Sequence, residues 1–217
     1  MRDKFYHEGL YRGNDALNKL QQVKLTVCGA GAVGSNLVNN LVRQGMQHIT
    51  VIDFDRVETH NVGTQTYAES DAGMFKVEAI QSEVFRVVGI EITAVRHKLT
   101  EKNVVKLLKG ADLVADGFDN HTSRALVTEH CRTAGIPCLH VGLSDDYAEV
   151  VWNENYIVPS DVVEPDVCDY PMARNLIQFA VALASETLAR FVLTGRKQDY
   201  SFTLEDLQVN MHESHIF

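Results

Sequence analysis

At 217 residues the chain is long enough to bury a full core and is read as one domain, 1–217. Its formal net charge of −9 argues against general nucleic-acid binding and against an anionic membrane surface, both of which select basic proteins. Four cysteines (Cys28, Cys131, Cys138, Cys168) form no C-x-x-C pair, so neither a disulfide scaffold nor zinc is expected, and reduced thiols in a cytoplasmic setting are.

The N-terminal arm, 1–20, has no uninterrupted apolar run and does not read as a secretory signal. "VKLTVCG" is the first strand, and "AVGSNLVNNLVRQG" a helix stopped by Gly45. "HITVID" is the second strand. A polar connector, 56–73, leads to a helix over 75–88. Residues 90–97 alternate as a strand, and Thr100 is a candidate N-cap for the segment that follows. "ADLVADG" is a strand, "NHTSRALVTEHCRTAG" a helix, and "IPCLHVGL" and "YAEVVWN" are strands. Residues 153–171 read as an irregular crossover punctuated by prolines. A long helix over 172–194, apolar nearly all round, is expected to be buried on several sides, in the core or in a subunit interface. Its polar residues interrupt it too often for an unaided membrane span. The tail "DYSFTLEDLQVN" is expected to add edge strands. Alternation of this kind predicts an α/β, doubly wound, mostly parallel sheet of Rossmann-like form.

The chemistry-bearing residues cluster where strands end. "GAGAVG" (Gly29, Gly31, Gly34) lies between a strand and a helix, the context in which these glycines permit a tight turn, ligand approach and close helix packing. Asp53 follows Gly34 by 19 positions and suits a ribose. A second acid, Asp55, follows it, and the amides of Asn61 and Gln65 lie in the connector. Lys76 opens the next helix, where an ammonium reaches a polyphosphate. Asp119, in "DGFDN", falls at the carboxyl edge of the sheet, and a carboxylate there holds Mg2+ together with phosphate oxygens. The plain alternatives are a tight β-α turn for the glycines, a surface lysine for Lys76 and a helix N-cap for Asp119.

Taken in order, "GAGAVGS", "DFDRVETHNVGTQ", "FKVEA" and "DGFDNHTSR" resemble the ubiquitin-activating enzyme superfamily, in particular its ThiF/MoeB-type adenylyltransferases. The resemblance implies ATP- and Mg2+-dependent adenylation of the C-terminal glycine of a ubiquitin-like or sulfur-carrier protein by a homodimer, with transfer to a thiol as the further step that some relatives carry out. It implies that Asp53 binds ribose, that Lys76 binds phosphate, that Asp119 binds the metal, and that Asn61 and Gln65 complete the nucleotide pocket; Asp55 is assigned to the same pocket as the second acid after the strand. Arg124 also matches the pattern. Arg12 resembles an arginine that family members supply across a dimer interface, with Arg2 a weaker match. Cys168 lies in a segment where some relatives carry a reactive cysteine, the alternative being an unreactive thiol.

Two departures accompany the resemblance. The family's asparagine-x-x-arginine is Asn61-Val62-Gly63-Thr64 here, and loss of such a charge-assisted donor costs about 1.5–3 kcal/mol. The paired C-x-x-C zinc ligands of many members are also missing. The competing readings are a nucleotide-binding scaffold without turnover and an NAD(P)-dependent oxidoreductase, the latter resting on the glycines and Asp53 alone.

Overall fold

A computed structural model describes residues 3–159 and 171–212. Its strands are β1 (Lys24–Cys28), β2 (His48–Ile52), β3 (Thr93–Val95), β4 (Leu113–Asp116), β5 (Cys138–Ser144), β6 (Tyr147–Trp152), β7 (Asp199–Thr203) and β8 (Asn210–His212). They form one sheet in the order β3-β2-β1-β4-β5-β6-β7-β8. Pairing is parallel from β3 to β5 and antiparallel from β5 to β8. The strand order reverses between β1 and β4, which makes the carboxyl edge of those strands the switch point where open α/β sheets receive ligands.

The helices are α1 (Tyr6–Arg12), α2 (Asn14–Gln22), α3 (Ala32–Arg43), α4 (Lys76–Val88), α5 (Val104–Leu107), α6 (His121–Ala134) and α7 (Arg174–Thr194). Period-two alternation sorts the central strands between two apolar layers. Val27, Val51, Ala115 and Leu139 join the layer that contains α3 and α7, while their neighbours Cys28, Ile52, Val114 and Cys138 join the layer with α5 and α6. Both faces are covered, so these strands read as continuous apolar runs.

The structure corrects several local expectations. The N-terminal arm is two helices, and α2 buries Leu17 and Leu20. Only Thr93–Val95 of residues 90–97 pairs as a strand. Thr100 is not a cap: the short helix α5 begins after Asn103, whose Oδ1 accepts the Thr100 amide at 2.8 Å. In the tail β7 is an interior strand and only β8 lies at the edge. Helix α7 is long and apolar enough to cross a bilayer by composition, with 50% of that apolar window buried inside the domain. It buries Leu176, Ile177, Ala180, Val181, Ala184 and Leu188 and leaves Asn175, Gln178, Phe179 and Ala182 exposed on one open face.

Candidate functional site

The three glycines differ in what they are for. Gly29 has φ +92°, and a Cβ on it would meet the Gly117 carbonyl oxygen at 3.0 Å, so the loop after β1 touches the loop after β4. A Cβ on Gly34 would lie 1.9 Å from the Gly29 carbonyl oxygen, so α3 packs directly on its own leading turn. Gly31 is the N-cap of α3 with no side chain capping it, and a Cβ there meets nothing within 4 Å. That open space fronts the unpaired amides of the first helical turn, the arrangement that receives a phosphate.

Asp53 is 6% exposed. Its Oδ2 accepts the Ala30 amide at 2.7 Å and its Oδ1 the Asp55 amide at 2.7 Å, which clasps the glycine loop to the end of β2. Burial pushes its carboxyl above the ordinary range, against the opposing pull of those two bonds and of Lys76. Lys76 is buried at the start of α4, and its amide donates to the Asp55 carbonyl. Its Nζ lies 3.6 Å from Oδ2 of Asp55, a half-exposed carboxylate. An ammonium with one long contact keeps donors for an anionic ligand. Lys76→Met, which keeps the buried stem, is expected to weaken Mg·ATP binding roughly ten- to a hundredfold for about 1.5–3 kcal/mol of lost charged hydrogen bonding. Calorimetric titration beside a thermal unfolding curve that stays within about 2 °C of wild type checks this.

Asn61 and Gln65 play different parts in the connector. Asn61 Oδ1 accepts the Glu58 amide at 2.9 Å, and the Asn61 carbonyl accepts the amides of Thr64 and Gln65, so this residue shapes the 3-10 turn Thr59–Gly63. The strap 64–67 then crosses the first turn of α3. Asn36 Nδ2 donates to the Thr64 carbonyl at 2.9 Å, the Thr66 amide donates to Ser35 Oγ at 3.3 Å, and Tyr67 OH donates to the Ala30 carbonyl at 2.7 Å. Gln65 is buried and is among the residues around a cavity of about 510 Å3 between the strap, α3 and α7.

The turn after β4 carries Asp119, which is exposed and, among the described residues, has one side-chain contact, Asn120 Nδ2 at 3.3 Å. The N-cap of α6 is Asn120, accepting the Ser123 amide at 2.9 Å, so capping does not account for Asp119. A group not singled out by its sequence context holds this turn. Asp116 is fully buried at the end of β4; its Oδ1 accepts the Phe118 amide at 3.1 Å and its Oδ2 pairs with His140 Nδ1 at 2.9 Å. His140 Nε2 bonds Asn153 Oδ1 at 2.8 Å, and the ring stacks on Tyr156 at 3.8 Å. Arg124 braces this network by donating to Tyr156 OH at 2.7 Å and to the Val141 carbonyl at 2.9 Å. Two acids three apart in "DGFDN" were the available signal, and the first of them is the anchor for the second.

Arg12 departs from expectation. Its side chain is 8% exposed and is held within its own chain, Nε 2.8 Å from Glu8 and Nη2 2.6 Å from Glu186 on α7. A guanidinium engaged by two carboxylates is not available to reach a neighbouring site. Burial opposes ionisation of Glu186, but the Arg12 and Arg190 contacts outweigh it and hold that carboxyl below the usual range. Such a group stabilises the fold above its unfolded pKa, and the contribution disappears as pH falls through the lowered folded value. Arg12→Gln is therefore expected to cost about 1 kcal/mol at neutral pH and less in acid, read from denaturant midpoints at both.

Cys168, like Arg2, lies outside the described residues. Cys28, Cys131 and Cys138 are buried, and burial pushes the thiols of Cys28 and Cys138 up, as suits apolar filler. No three His, Cys, Asp or Glu side chains gather as a metal set among the described residues. Asp119 alone is adequate for Mg2+, which binds through one or two carboxylates plus substrate phosphate.

Residues 8–156 match the ThiF family. Over 130 residues the chain is 29% identical to the SAMP-activating enzyme E1 of Haloferax volcanii, covering 59% of this chain and 48% of that one. It is 29% identical over 132 residues to the sulfur carrier protein ThiS adenylyltransferase of Bacillus subtilis, covering 59% and 39%. The chain thus spans about half or less of the length of these curated relatives. Among solved structures, E. coli MccB with ATP superposes with a TM-score of 0.83 over 98% of this chain and 72% of that one, at 17% identity, a likeness of fold.

Proposed function

The chain belongs to the ThiF family, and from that premise we propose that it adenylates the C-terminal glycine of a ubiquitin-like or sulfur-carrier protein with ATP. The observation that carries the reading is Lys76, a buried ammonium beside the clasp between Asp53 and the glycine loop. A triphosphate needs such a charge, whereas a hydride carrier's pyrophosphate is served by the helix N-terminus. The names of the similar adenylyltransferases support the same class of substrate.

In the proposed reaction a carboxylate oxygen attacks the α-phosphorus, the bond to the β-phosphate oxygen breaks, and acyl adenylate and pyrophosphate result. The carboxylate is already ionised, so no general base is required. Catalysis is positioning and charge neutralisation. The first turn of α3 and Lys76 hold phosphates, Asp53 accepts from ribose hydroxyls, and Asp119 holds Mg2+, which when bound neutralises charge developing on the leaving pyrophosphate. The Asp116–His140 pair keeps the Asp119 turn in place. The reading includes a cytoplasmic homodimer meeting through the open face of α7, with no zinc, and as its last step transfer of the acyl group from the adenylate to the Cys168 thiol, with AMP leaving.

Thermal unfolding with Mg·ATP, ATP plus EDTA, NAD+ and NADP+ tests it on wild type and Asp119→Ala. A ligand at a hundred times its dissociation constant stabilises by about 2.7 kcal/mol, a shift of several degrees. Mg·ATP is expected to raise the midpoint, and EDTA or Asp119→Ala to reduce the gain. Stabilisation by NAD+ or NADP+ instead overturns the reading. Tight ATP binding without carrier-dependent exchange of pyrophosphate into ATP points to a scaffold.

A further inference from the structure

The bonds around His140 fix a charge state as well as a position, and Asn153 decides it. Asn153 Nδ2 donates to the Thr128 carbonyl at 3.2 Å, so its Oδ1 is the atom that faces His140 Nε2 at 2.8 Å. Turning the amide would set its oxygen against the Thr128 carbonyl oxygen and lose that bond. An acceptor opposite Nε2 requires a proton there. On the other side of the ring, Nδ1 lies 2.9 Å from Asp116 Oδ2, a second acceptor. A neutral imidazole has a single N–H and satisfies one of the two. Asp116, His140 and Asn153 are all buried, which leaves no solvent to serve the other.

The contact between Nδ1 and Oδ2 therefore contains a proton, and imidazole is the stronger base of the two groups. Asp116 Oδ1 accepts the Phe118 amide at 3.1 Å, so each carboxylate oxygen has a donor of its own. Tyr156 lies flat on the ring, with 5° between the planes, and its π face favours a cation there. The other ionisable groups on this side are Arg124 of α6, bonded to Tyr156 OH, and Glu149 of β6, which acts on both. The thiols of Cys28 and Cys138 lie beside Asp116, with Cys131 beside both. With an imidazolium the buried pair is net neutral; with a neutral ring it holds an uncompensated negative charge. We infer that His140 works as a buried imidazolium, a positioning residue whose charged N–H, fixed by Asn153, holds ionised Asp116 and so the turn that carries Asp119. Its role toward magnesium rests on the adenylation reading; its charge does not.

Nitrogen NMR of the full chain, labelled at histidine and assigned through the proximity of His140 to the Tyr156 ring, reads the charge directly. Both His140 ring nitrogens are expected to carry protons from about pH 5 to pH 8, the window in which ordinary histidines change charge. In Asn153→Leu, which has no acceptor opposite Nε2, that proton is expected to leave at lower pH than in wild type. One unprotonated His140 nitrogen in wild type at neutral pH overturns the inference, as does an Asn153→Leu ring that keeps both protons as long as wild type. His140→Gln retains hydrogen bonding without the charge. It is expected to raise the Mg2+ concentration needed for ATP binding about tenfold, as loss of a partner behind a metal ligand does, with AMP affinity in EDTA unchanged. An unchanged magnesium requirement, or an equal loss of AMP affinity, overturns the positioning role. A wild type whose ATP binding ignores magnesium sinks the role toward Asp119 and counts against the adenylation reading, while the ring nitrogens still decide the charge.

Discussion

Gly34→Ala is expected to destabilise the domain by about 3 kcal/mol or more and to abolish nucleotide binding, because no side chain is free to yield. The added methyl would sit 1.9 Å from the Gly29 carbonyl oxygen and 2.8 Å from its carbon, both backbone atoms at the junction of β1 and α3. Relief requires α3 to lift from β1, which disturbs the layer in which Val33, Leu37, Val38 and Leu41 are buried. Gly31→Ala supplies the contrast. Nothing lies within 4 Å of its Cβ and its φ is not positive, so the unfolding midpoint should stay within about 2 °C of wild type. Its Mg·ATP affinity should nevertheless fall at least tenfold, because the methyl occupies the space offered to phosphate. Denaturant unfolding and calorimetry on both variants decide the matter. Equal loss of stability in the two, or full affinity in Gly31→Ala, would falsify the assignment of separate packing and ligand roles.

The second large effect concerns the pair behind Asp119. Removing the imidazole strands a fully buried carboxyl oxygen without its hydrogen-bond partner, a loss of about 1–3 kcal/mol for a buried polar group and more for a charged one. His140→Leu and Asp116→Leu are each expected to fall in that range, since both residues are inaccessible and their contact is 2.9 Å. Replacing both with leucine should cost much less than the sum, because the apolar pair leaves neither partner of the Asp116–His140 contact stranded, although the Phe118 amide loses its acceptor. Urea midpoints on the three variants give the coupling directly, and simple additivity would show that the pair is not coupled. His140→Asn, which keeps a donor towards Asp116, should recover part of the stability and, with it, the magnesium dependence of ATP binding. That recovery separates a role in placing Asp119 from packing alone.

These expectations connect a local ladder to a chemical edge. The Gly29 amide donates to the Ile52 carbonyl and the Gly117 amide to the Cys28 carbonyl, each at 2.9 Å, so the sheet's hydrogen bonding continues past the ends of β1 and β4. The loops that carry the glycines, Asp53 and Asp119 therefore start from a rigid frame. The strap 64–67 is attached to that frame at Ser35, Asn36 and Ala30. A site assembled in this way resists displacement when charge develops during phosphoryl chemistry.

Much of this was legible in order along the chain. Glycine spacing after a β-rich run, an acid at the end of the second strand, a lysine opening the next helix and an acid after the fourth strand all depend on local pattern, and each lies at the predicted strand or helix boundary. Side chains alternate with a period of two, but the central strands are apolar on both faces, so packing decided which layer each residue joins. The sequence by itself also determined the parallel half of the sheet, since strand-helix alternation has few right-handed solutions. Tertiary structure alone decided the remainder. Arg12 looks free in sequence, yet Glu186, 174 positions away, neutralises it; Asp116 looks like a second site acid, yet His140, 24 positions away, buries it as an anchor. Arg174 reaches the Gly63 carbonyl, 111 positions earlier in the chain, only because α7 begins beside it. Partner choice for a charged side chain is set by which elements pack together, and burial magnifies the result by removing the water that otherwise screens it.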